Sequence, residues 1–373
     1  MKIKSIQLRR LHLPMKEPFR TSFGVESEKD VILVEVQTEA GAVGFSECVT
    51  SSEPLYSEET NGTAWHMIRD FFAPKVLDTE FHTPAELLTV GDKLHSFKGN
   101  RMAKAAVEMA LWDAYANETQ IPLHQLIGGE KTEIAVGISV GIQPTTDALV
   151  KKVNGYLQQG FQRIKVKVKP GYDLEPLAAL RREFGDIPLM VDANSAYRLK
   201  DLSHLREFDG FGLMMMEQPL ANDDLVDHAR LQKELQTPIC LDESIHSAED
   251  ARKAIELGAC RIINVKVGRI GGFAEALRIH GVCQDAGIPL WCGGMLETGI
   301  GRLHNVALTT LPGFTLPGDT APSARYFEQD LIEPEVVFSR PGFLPVEDVL
   351  GVASRLRMER VEKWQVDAET VNK

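Results

Sequence analysis

The chain has 373 residues, of which 43% are hydrophobic and 25% charged, and 53 acidic against 41 basic side chains give a formal charge of −12. A surplus of carboxylates repels phosphate backbones and anionic lipids, so the composition disfavours nucleic acid and membrane surfaces as partners. At roughly 100 to 200 residues per domain, the length predicts two domains or one large barrel with additions. Five scattered cysteines without a CxxC pair, and no apolar run near the ~18 residues that span a bilayer, predict a soluble cytoplasmic protein.

The first third of the chain changes from a strand pattern to a helical one. Residues 1–48 alternate apolar and polar side chains over short stretches, which is typical of an antiparallel sheet. From residue 57 to residue 116 the apolar side chains follow a helical period, and the final stretch, RMAKAAVEMALWDAYA, has small residues that allow close helix contacts. We therefore expect an α+β domain over residues 1–128.

The middle of the chain has the pattern of parallel βαβ units, because short β-branched runs alternate with amphipathic helices after Gly129. Seven runs are clear and an eighth near Phe314 is weaker, which favours a closed (β/α)₈ barrel over an open sheet for residues 129–325. Residues 326–373 carry too little repeat signal for another unit, and we expect them to return to the first domain. The seven runs are 134–142, 161–168, 187–192, 211–217, 239–243, 261–267 and 288–293.

Polar residues end five of these runs at nearly constant intervals. Their separations of 25, 25, 25 and 24 residues match the length of one βα unit. The side chains should therefore lie at equivalent positions, at the carboxyl ends of strands two to six, where barrel enzymes place their chemistry. The five residues are Lys167, Asp192, Glu217, Asp242 and Lys266.

The three carboxylates of this series predict a metal site. Carboxylates that converge on one barrel mouth repel one another unless a cation neutralises them, and oxygen ligands suit Mg²⁺. We therefore predict that Asp192, Glu217 and Asp242 bind Mg²⁺. For any one of them alone, a solvated charge at a strand end is the alternative interpretation.

The lysines predict acid–base chemistry at the same place. Lys165 and Lys167 are two apart on a strand and share a face, and a neighbouring ammonium and a divalent cation both favour the neutral amine of Lys167. Asn264 and Lys266 share a face on the other side of the mouth. Such a pair can remove a proton α to a carboxylate, while the metal stabilises the enediolate. Return of a proton from the other lysine racemises the substrate, and loss of a β-hydroxyl dehydrates it.

Motifs spread over almost the whole chain carry a family resemblance. They are AVEMALWDAYA, PLHQLIGG, RIKVKVKPG, VDAN, MEQPL, LDES and NVKVGRIGG. As a set they resemble the enolase superfamily, in its muconate lactonizing enzyme subgroup. The resemblance implies an α/β fold, a modified TIM-type barrel whose α+β capping domain is completed by the C-terminal tail. It also implies Mg²⁺, with Mn²⁺ as a substitute, bound by the three acids, with Lys167 as general base, Lys266 opposite it, and Lys165 and Asn194 in support.

Three further motifs narrow the resemblance: PFRTSFG, ISVGI and GGMLETGIGR. They resemble the branch whose members dehydrate 2-succinyl-6-hydroxy-2,4-cyclohexadiene-1-carboxylate for menaquinone biosynthesis, racemise N-succinylamino acids, or do both. Dipeptide epimerases carry Asp-x-Asp after strand eight, whereas the matching stretch here is Asp319, Thr320 and Ala321, which argues against a dipeptide substrate. A non-catalytic binding protein on the same barrel is a further alternative, which the intact set of charges disfavours.

Residues around the barrel mouth are candidates for contact with a small carboxylate substrate. Ser139 ends strand one, where capping a turn is an equal alternative, and the segment from Arg20 to Gly24 has the composition of a loop that closes over a site. Phe23 is expected to supply an apolar wall or to belong to the core. We also expect the chain to form a homo-oligomer. The complete set of predicted substrate contacts is Ser139, Asn194, Asn264, Gly293, Gly294, Met295, Arg20 and Phe23.

Overall fold

The computed structural model describes residues 1–20, 24–77 and 79–372. It begins with three antiparallel strands, β1 (Ile3–Arg20), β2 (Val25–Thr38) and β3 (Val43–Cys48), in which β2 lies between the other two. Val31, Ile32, Leu33 and Val34 of β2 are all buried, so both faces of this strand are covered. The alternating pattern of the sequence therefore does not correspond to one buried and one exposed face here.

The helices of the first domain pack beside this sheet. The longest, α5, is buried along most of its length, and its alanines allow a very close approach to Gly44 of β3. A Cβ atom at Gly44 would lie 2.1 Å from the amide nitrogen of Ala114 and 2.4 Å from the carbonyl oxygen of Ala110. The helices are α1 (Asn61–Met67), a π-helical turn (Ile68–Phe72), α2 (Ala73–Leu77), α3 (Pro84–Leu87), α4 (Thr89–His95), α5 (Arg101–Thr119) and α6 (Leu123–Leu126).

Seven parallel strands form the second sheet, in the order in which they occur in the sequence. A short strand, β4 (Glu133–Ala135), precedes them. The seven are β5 (Gly137–Val140), β6 (Arg163–Lys167), β7 (Leu189–Asp192), β8 (Met216–Glu217), β9 (Ile239–Leu241), β10 (Ile262–Val265) and β11 (Leu290–Cys292).

The eighth position of the barrel is filled by an irregular segment, residues 313–319, with a single β-bridge at Gly318. Its Leu316 and Asp319 amides donate to the Leu290 and Cys292 carbonyls of β11. On its other side the carbonyl of Gly318 accepts from the Gly137 amide of β5, at 2.7 Å. The weak eighth repeat near Phe314 thus closes the curled sheet without forming a regular strand, because Pro317 has no amide hydrogen for a continuous ladder.

Helices follow the barrel strands, and five of them begin at a polar cap. The side chains of Thr145, Asp173, Asp224, Ser247 and Thr298 each accept a backbone N–H at a helix start, which satisfies a donor left unpaired there. Among the described residues, no helix combines the length and apolar character needed to cross a membrane. The helices are α7 (Thr146–Gln158), α8 (Leu174–Phe184), α9 (Leu202–Leu205), α10 (Leu225–Glu234), α11 (Ala248–Leu257), α12 (Val267–Ile270), α13 (Phe273–Asp285) and α14 (Gly299–Thr309).

The C-terminal segment contacts both domains. Its first strand, β12 (Phe343–Pro345), pairs with β4 at the start of the barrel, which the sequence did not predict. After α15 (Met358–Trp364), the last strand, β13 (Gln365–Asn372), pairs antiparallel with β1 and completes a four-stranded sheet. The segment therefore returns to the first domain as expected, while the exact boundaries at residues 128 and 325 stay a prediction.

A candidate active site at the barrel mouth

The five polar residues of the 25-residue series lie side by side at the carboxyl ends of five neighbouring strands. Lys167, Asp192 and Glu217 are the last residues of β6, β7 and β8, and the register pairs Lys167 with Asp192 and Asp192 with Glu217. Asp242 and Lys266 follow β9 and β10 directly. All five side chains are buried, so this edge of the barrel concentrates charge with little exposure to water.

On the β6 side, two ammonium groups contact the carboxylates. Lys167 Nζ donates to Asp192 Oδ2 at 2.6 Å, and Lys165 Nζ donates to Glu217 Oε2 at 3.0 Å. Burial lowers the pKa of Lys165, but the carboxylates of Asp319, Glu217 and Asp192 outweigh it and hold this pKa above its ordinary value. Lys165 is therefore a fixed cation, and its alignment with Lys167 follows from their spacing of two on one strand.

On the β10 side, Lys266 contacts a carboxylate and a phenol. Its Nζ donates to Asp242 Oδ2 at 2.7 Å and to the Tyr56 hydroxyl at 2.9 Å. Burial lowers the pKa of Lys266, but Tyr56 and the carboxylates of Glu243 and Glu217 raise it above its ordinary value. Lys266 is therefore a cation in this arrangement.

Asn264 and Arg269 donate hydrogen bonds to two of the carboxylates that these lysines contact. Asn264 Nδ2 donates to Glu217 Oε1 at 2.7 Å, and Arg269 Nη1 donates to Asp242 Oδ1. Asn264 is thus a partner of Glu217 here, and its predicted contact with substrate stays a prediction. Arg269, which lies three residues after Lys266 in the NVKVGRIGG motif, was not among the predicted site residues.

The carboxylates meet the chemical requirement for a hard divalent cation. Asp192, Glu217 and Asp242 offer only oxygen donors from three neighbouring strands, and burial, followed by the charge of Asp192, raises the pKa of Glu217. Within the described ranges, no three acidic, histidine or cysteine groups converge in a ligand geometry, because each carboxylate is paired with a cation of the chain. By the chemistry of their oxygen donors, these three carboxylates still fit Mg²⁺.

Asn194 is hydrogen-bonded to both Lys167 and Glu243. Its Oδ1 accepts from Lys167 Nζ at 2.6 Å and its Nδ2 donates to Glu243 Oε1 at 2.8 Å. Asn194 has a φ of 42°, in the left-handed region that asparagine tolerates better than most residues. The structure thus places Asn194 in hydrogen-bond contact with Lys167, and the supporting role that the resemblance implies stays a prediction.

A cavity of about 150 Å³ opens above these groups. Lys167 and Lys266 reach it from opposite sides of the barrel, and the predicted contacts Asn194, Gly294 and Met295 line it. Ser139 lines it as well, and its buried Oγ has no hydrogen-bond partner within the part of the chain that the structure describes. The first domain closes the cavity with Phe19, Gly24, Val25, Glu26, Lys29, Ser51, Ser52, Glu53, Leu55 and Tyr56.

Three predicted substrate contacts, Asn264, Gly293 and Arg20, are not among the residues that line this cavity. A Cβ at Gly293 would lie 2.4 Å from Asn264 Oδ1 and 2.8 Å from Lys266 Cε, so this glycine makes room for Lys266 and does not line the cavity. Arg20 ends β1 with an exposed side chain. Phe23 lies outside the described residues.

A second ion-pair network lies beside the site, and the sequence did not predict it. Asp319 Oδ2 lies 2.7 Å from Lys165 Nζ, and Asp319 Oδ1 accepts from Arg163 Nη2 at 2.9 Å. Burial raises the pKa of Asp319, but Arg163 and Lys165 outweigh it and hold this pKa far below its ordinary value. The sequence indicated Asp319 only through its place in the Asp-x-Asp position of the epimerases. Its carboxylate is paired with these two cations of the chain and also lines the cavity.

Comparison with known proteins assigns the class. The description "Mandelate racemase / muconate lactonizing enzyme, N-terminal domain" matches residues 5–128, and "Enolase C-terminal domain-like" matches residues 148–360. The chain belongs to the enolase superfamily, in the mandelate racemase and muconate lactonizing enzyme family. Enzymes of this superfamily generally depend on Mg²⁺.

Individual relatives that match over nearly their full length show which members of the family this chain is similar to. The chain is 52% identical to an o-succinylbenzoate synthase of Geobacillus stearothermophilus, over 97% of this chain and 96% of the relative. It is 47% identical to an N-succinylamino acid racemase of Thermus thermophilus, over 98% of each. A solved enolase-superfamily structure from Listeria innocua matches with a TM-score of 0.94 and 38% identity, over 100% of this chain and 99% of that one.

Proposed function

We propose that the chain is a Mg²⁺-dependent o-succinylbenzoate synthase that also racemises N-succinylamino acids. The observation that carries the proposal is the approach of Lys167 and Lys266 to one cavity from opposite sides, each hydrogen-bonded to a carboxylate. Such an arrangement places one amine on each face of a substrate α-carbon. The relatives named above support the choice of reaction.

Asp192, Glu217 and Asp242 would hold the Mg²⁺. When bound, the ion supplies positive charge that stabilises the second negative charge of an enediolate. Lys167 Nζ takes the α-proton of the cyclohexadiene acid, and Asn194 fixes the direction of this amine through its 2.6 Å hydrogen bond. Because the elimination is syn, the protonated Lys167 faces the departing β-hydroxyl and returns the proton to it, so that water leaves. Lys266 remains protonated and stabilises the enediolate by its charge.

Racemisation is the second candidate function, favoured by the position of Lys266 in the cavity wall. In this reaction one lysine removes the α-proton from its face of the α-carbon, and the other lysine delivers a proton to the opposite face. Both lysines then react, in opposite roles for the two enantiomers. The substrates share an α-carboxylate and a succinyl group, so one site serves both.

Paired kinetics test the proposal. The purified protein, supplied with Mg²⁺, is assayed for conversion of the cyclohexadiene acid by absorbance and for racemisation of N-succinyl-L- and N-succinyl-D-phenylalanine by polarimetry. We expect dehydration at an enzymatic rate, loss of both activities after chelation, and recovery with Mg²⁺ or Mn²⁺. A negligible dehydration rate beside fast racemisation would make the racemase the principal function, and the absence of both reactions would contradict the proposal. A cytoplasmic location and a homo-oligomeric state remain part of the proposal.

A further inference from the structure

Lys29 is a buried ammonium in the wall that the first domain contributes to the cavity. It lies on β2, its exposed fraction is 3%, and it lines the cavity. Its Nζ donates to the carbonyl oxygen of Met295 at 2.9 Å. No carboxylate oxygen of residues 1–20, 24–77 or 79–372 lies within 4.0 Å of this nitrogen, although Glu26 and Glu53 also line the cavity.

This pairing sets Lys29 apart from the other lysines of the cavity. Lys165, Lys167 and Lys266 each contact a carboxylate of the chain. An ammonium has three donors, and among the described parts of the chain the partner of Lys29 is one neutral carbonyl. Burial raises the pKa of the Glu47 carboxyl, and Lys29 is near enough to oppose this shift by its charge, but it does not contact that carboxyl. Since a buried cation that contacts no counter-charge is unfavourable, the cavity offers an anion a strong partner at this point.

The circular order of the barrel strands places Lys29 opposite the proposed metal ligands. Asp192, Glu217 and Asp242 stand on β7, on β8 and after β9, so the reacting carboxylate of a substrate belongs on that side. Met295, which holds Lys29, follows β11, next to the segment 313–319 that closes the barrel. A substrate whose α-carbon lies between Lys167 and Lys266 therefore extends its remaining atoms toward Lys29.

We infer that Lys29 binds the second carboxylate of a dicarboxylate substrate, at the end remote from the α-carbon. The inference rests on the proposed function, which places the reacting carboxylate at β7 to β9. If Lys29 binds this carboxylate, a residue of the first domain selects succinyl substrates over substrates with neutral acyl groups. The chemistry is an ammonium–carboxylate hydrogen bond at the wall of the cavity, which a neutral group of the same shape cannot replace.

A pair of substrates of equal shape tests the inference on the unmodified protein. N-Succinyl-phenylalanine carries the second carboxylate, and N-succinamoyl-phenylalanine carries a neutral carboxamide in its place. We expect kcat/KM to favour the succinyl substrate by about 10-fold or more, the range for a hydrogen bond to a charged group. A ratio near 1 in the unmodified protein would overturn the inference without any variant.

Lys29→Met then tests the residue itself. We expect the preference for the succinyl substrate to fall to roughly 1, mainly through a higher KM for that substrate. Lys4→Met, on the exposed face of the same sheet, is the matched control and should keep the preference of the unmodified protein. A Lys29→Met protein that folds and keeps the full preference would overturn the inference.

Calorimetric binding tests the role of Lys29 without turnover, so its outcome does not depend on whether the proposed reactions occur. With Mg²⁺ present, o-succinylbenzoate should bind about 10-fold or more tighter than its side-chain carboxamide, and Lys29→Met should remove the difference. A protein that turns over neither class of substrate contradicts the proposed function, yet the binding comparison still decides the role of Lys29. Equal binding of the two compounds by the unmodified protein would overturn the inference.

Discussion

Asp319 shows how single residues maintain the charge balance of the cavity. Its carboxylate lies between Arg163 and Lys165, and all three side chains are largely shielded from water. Arg163 is further held by the carbonyl of Pro317 at 2.9 Å and by the ring of Trp291. Removal of one member of such a buried group leaves an uncompensated charge, which costs far more than the loss of an exposed ion pair.

We predict that Asp319→Asn destabilises the protein by about 3 kcal/mol, because Arg163 and Lys165 lose a buried counter-charge. Urea unfolding followed by fluorescence measures the change. Asp186→Asn is the control, since this aspartate is fully exposed and should shift the free energy of unfolding by no more than about 0.5 kcal/mol. Equal, small effects of the two substitutions would contradict the ion-pair assignment.

The residues of the site differ in how far the sequence could predict them. Lys167, Asp192, Glu217, Asp242 and Lys266 follow from a period of about 25 residues, because equivalent strand ends recur with each βα unit. Arg163 and Asp319, by contrast, are 156 residues apart, and no local pattern links them. The same holds for Lys29 and Met295, which are 266 residues apart and lie in different domains.

Among the elements, the contact between β3 and α5 leaves the least room for change. Gly44 lies against the backbone of α5, so a side chain at this position would have to displace the whole helix. The alanine-rich sequence of α5 predicted close packing. Its partner could not be predicted, because glycine in a strand also occurs at bulges and at tight bends.

We predict that Gly44→Ala lowers the free energy of unfolding by about 3 kcal/mol or more, because its Cβ would lie 2.1 Å from the Ala114 nitrogen. Thermal unfolding measures the effect. Gly155→Ala in α7 is the control: nothing lies within 4 Å of the added atom, and alanine should be neutral or stabilise the helix by up to about 1 kcal/mol. A Gly44→Ala protein as stable as the control would show that α5 can move without cost.

The barrel strands and helices were predictable from periodicity, whereas the closing segment gave only the weak eighth repeat near Phe314 and β12 gave no signal. Residues 313–319 contain proline and glycine that interrupt the strand pattern, so their role depends on hydrogen bonds from β11 and β5. The three residues of β12 are too few for a period to be recognised, and their partner β4 lies about 200 residues earlier in the chain.

At the scale of the whole molecule, two buried carboxylates of the first domain accept hydrogen bonds from the starts of two barrel helices. Glu108 of α5 accepts from the Phe273 and Ala274 amides at the start of α13, each at 2.8 Å. Glu47 of β3 accepts from the amide and hydroxyl of Thr298 at the start of α14. Burial raises the pKa of both carboxyls to about 7. The two domains that enclose the cavity are therefore joined through groups that titrate near neutrality.

We predict that Glu108 makes the stability depend on pH. Its pKa is about 7 in the folded protein against an ordinary 4.5, so its contribution is complete below about pH 4.5 and is lost as the pH rises through 7. The stability advantage of the unmodified protein over Glu108→Gln should shrink by on the order of 2 kcal/mol between pH 5 and pH 8. Urea unfolding at both pH values measures it. A constant or growing advantage would contradict the raised pKa.

Isotope exchange at the α-carbon tests the central claim most directly, that Lys167 and Lys266 act on opposite faces of one substrate. In D₂O with Mg²⁺, proton NMR follows loss of the α-proton from each enantiomer of an N-succinylamino acid, with Lys167→Ala and Lys266→Ala proteins. Each variant should exchange one enantiomer with retention of configuration, the opposite one in the two variants, and neither should racemise, since each keeps a base on one face only. Exchange of both enantiomers by either variant would contradict the account.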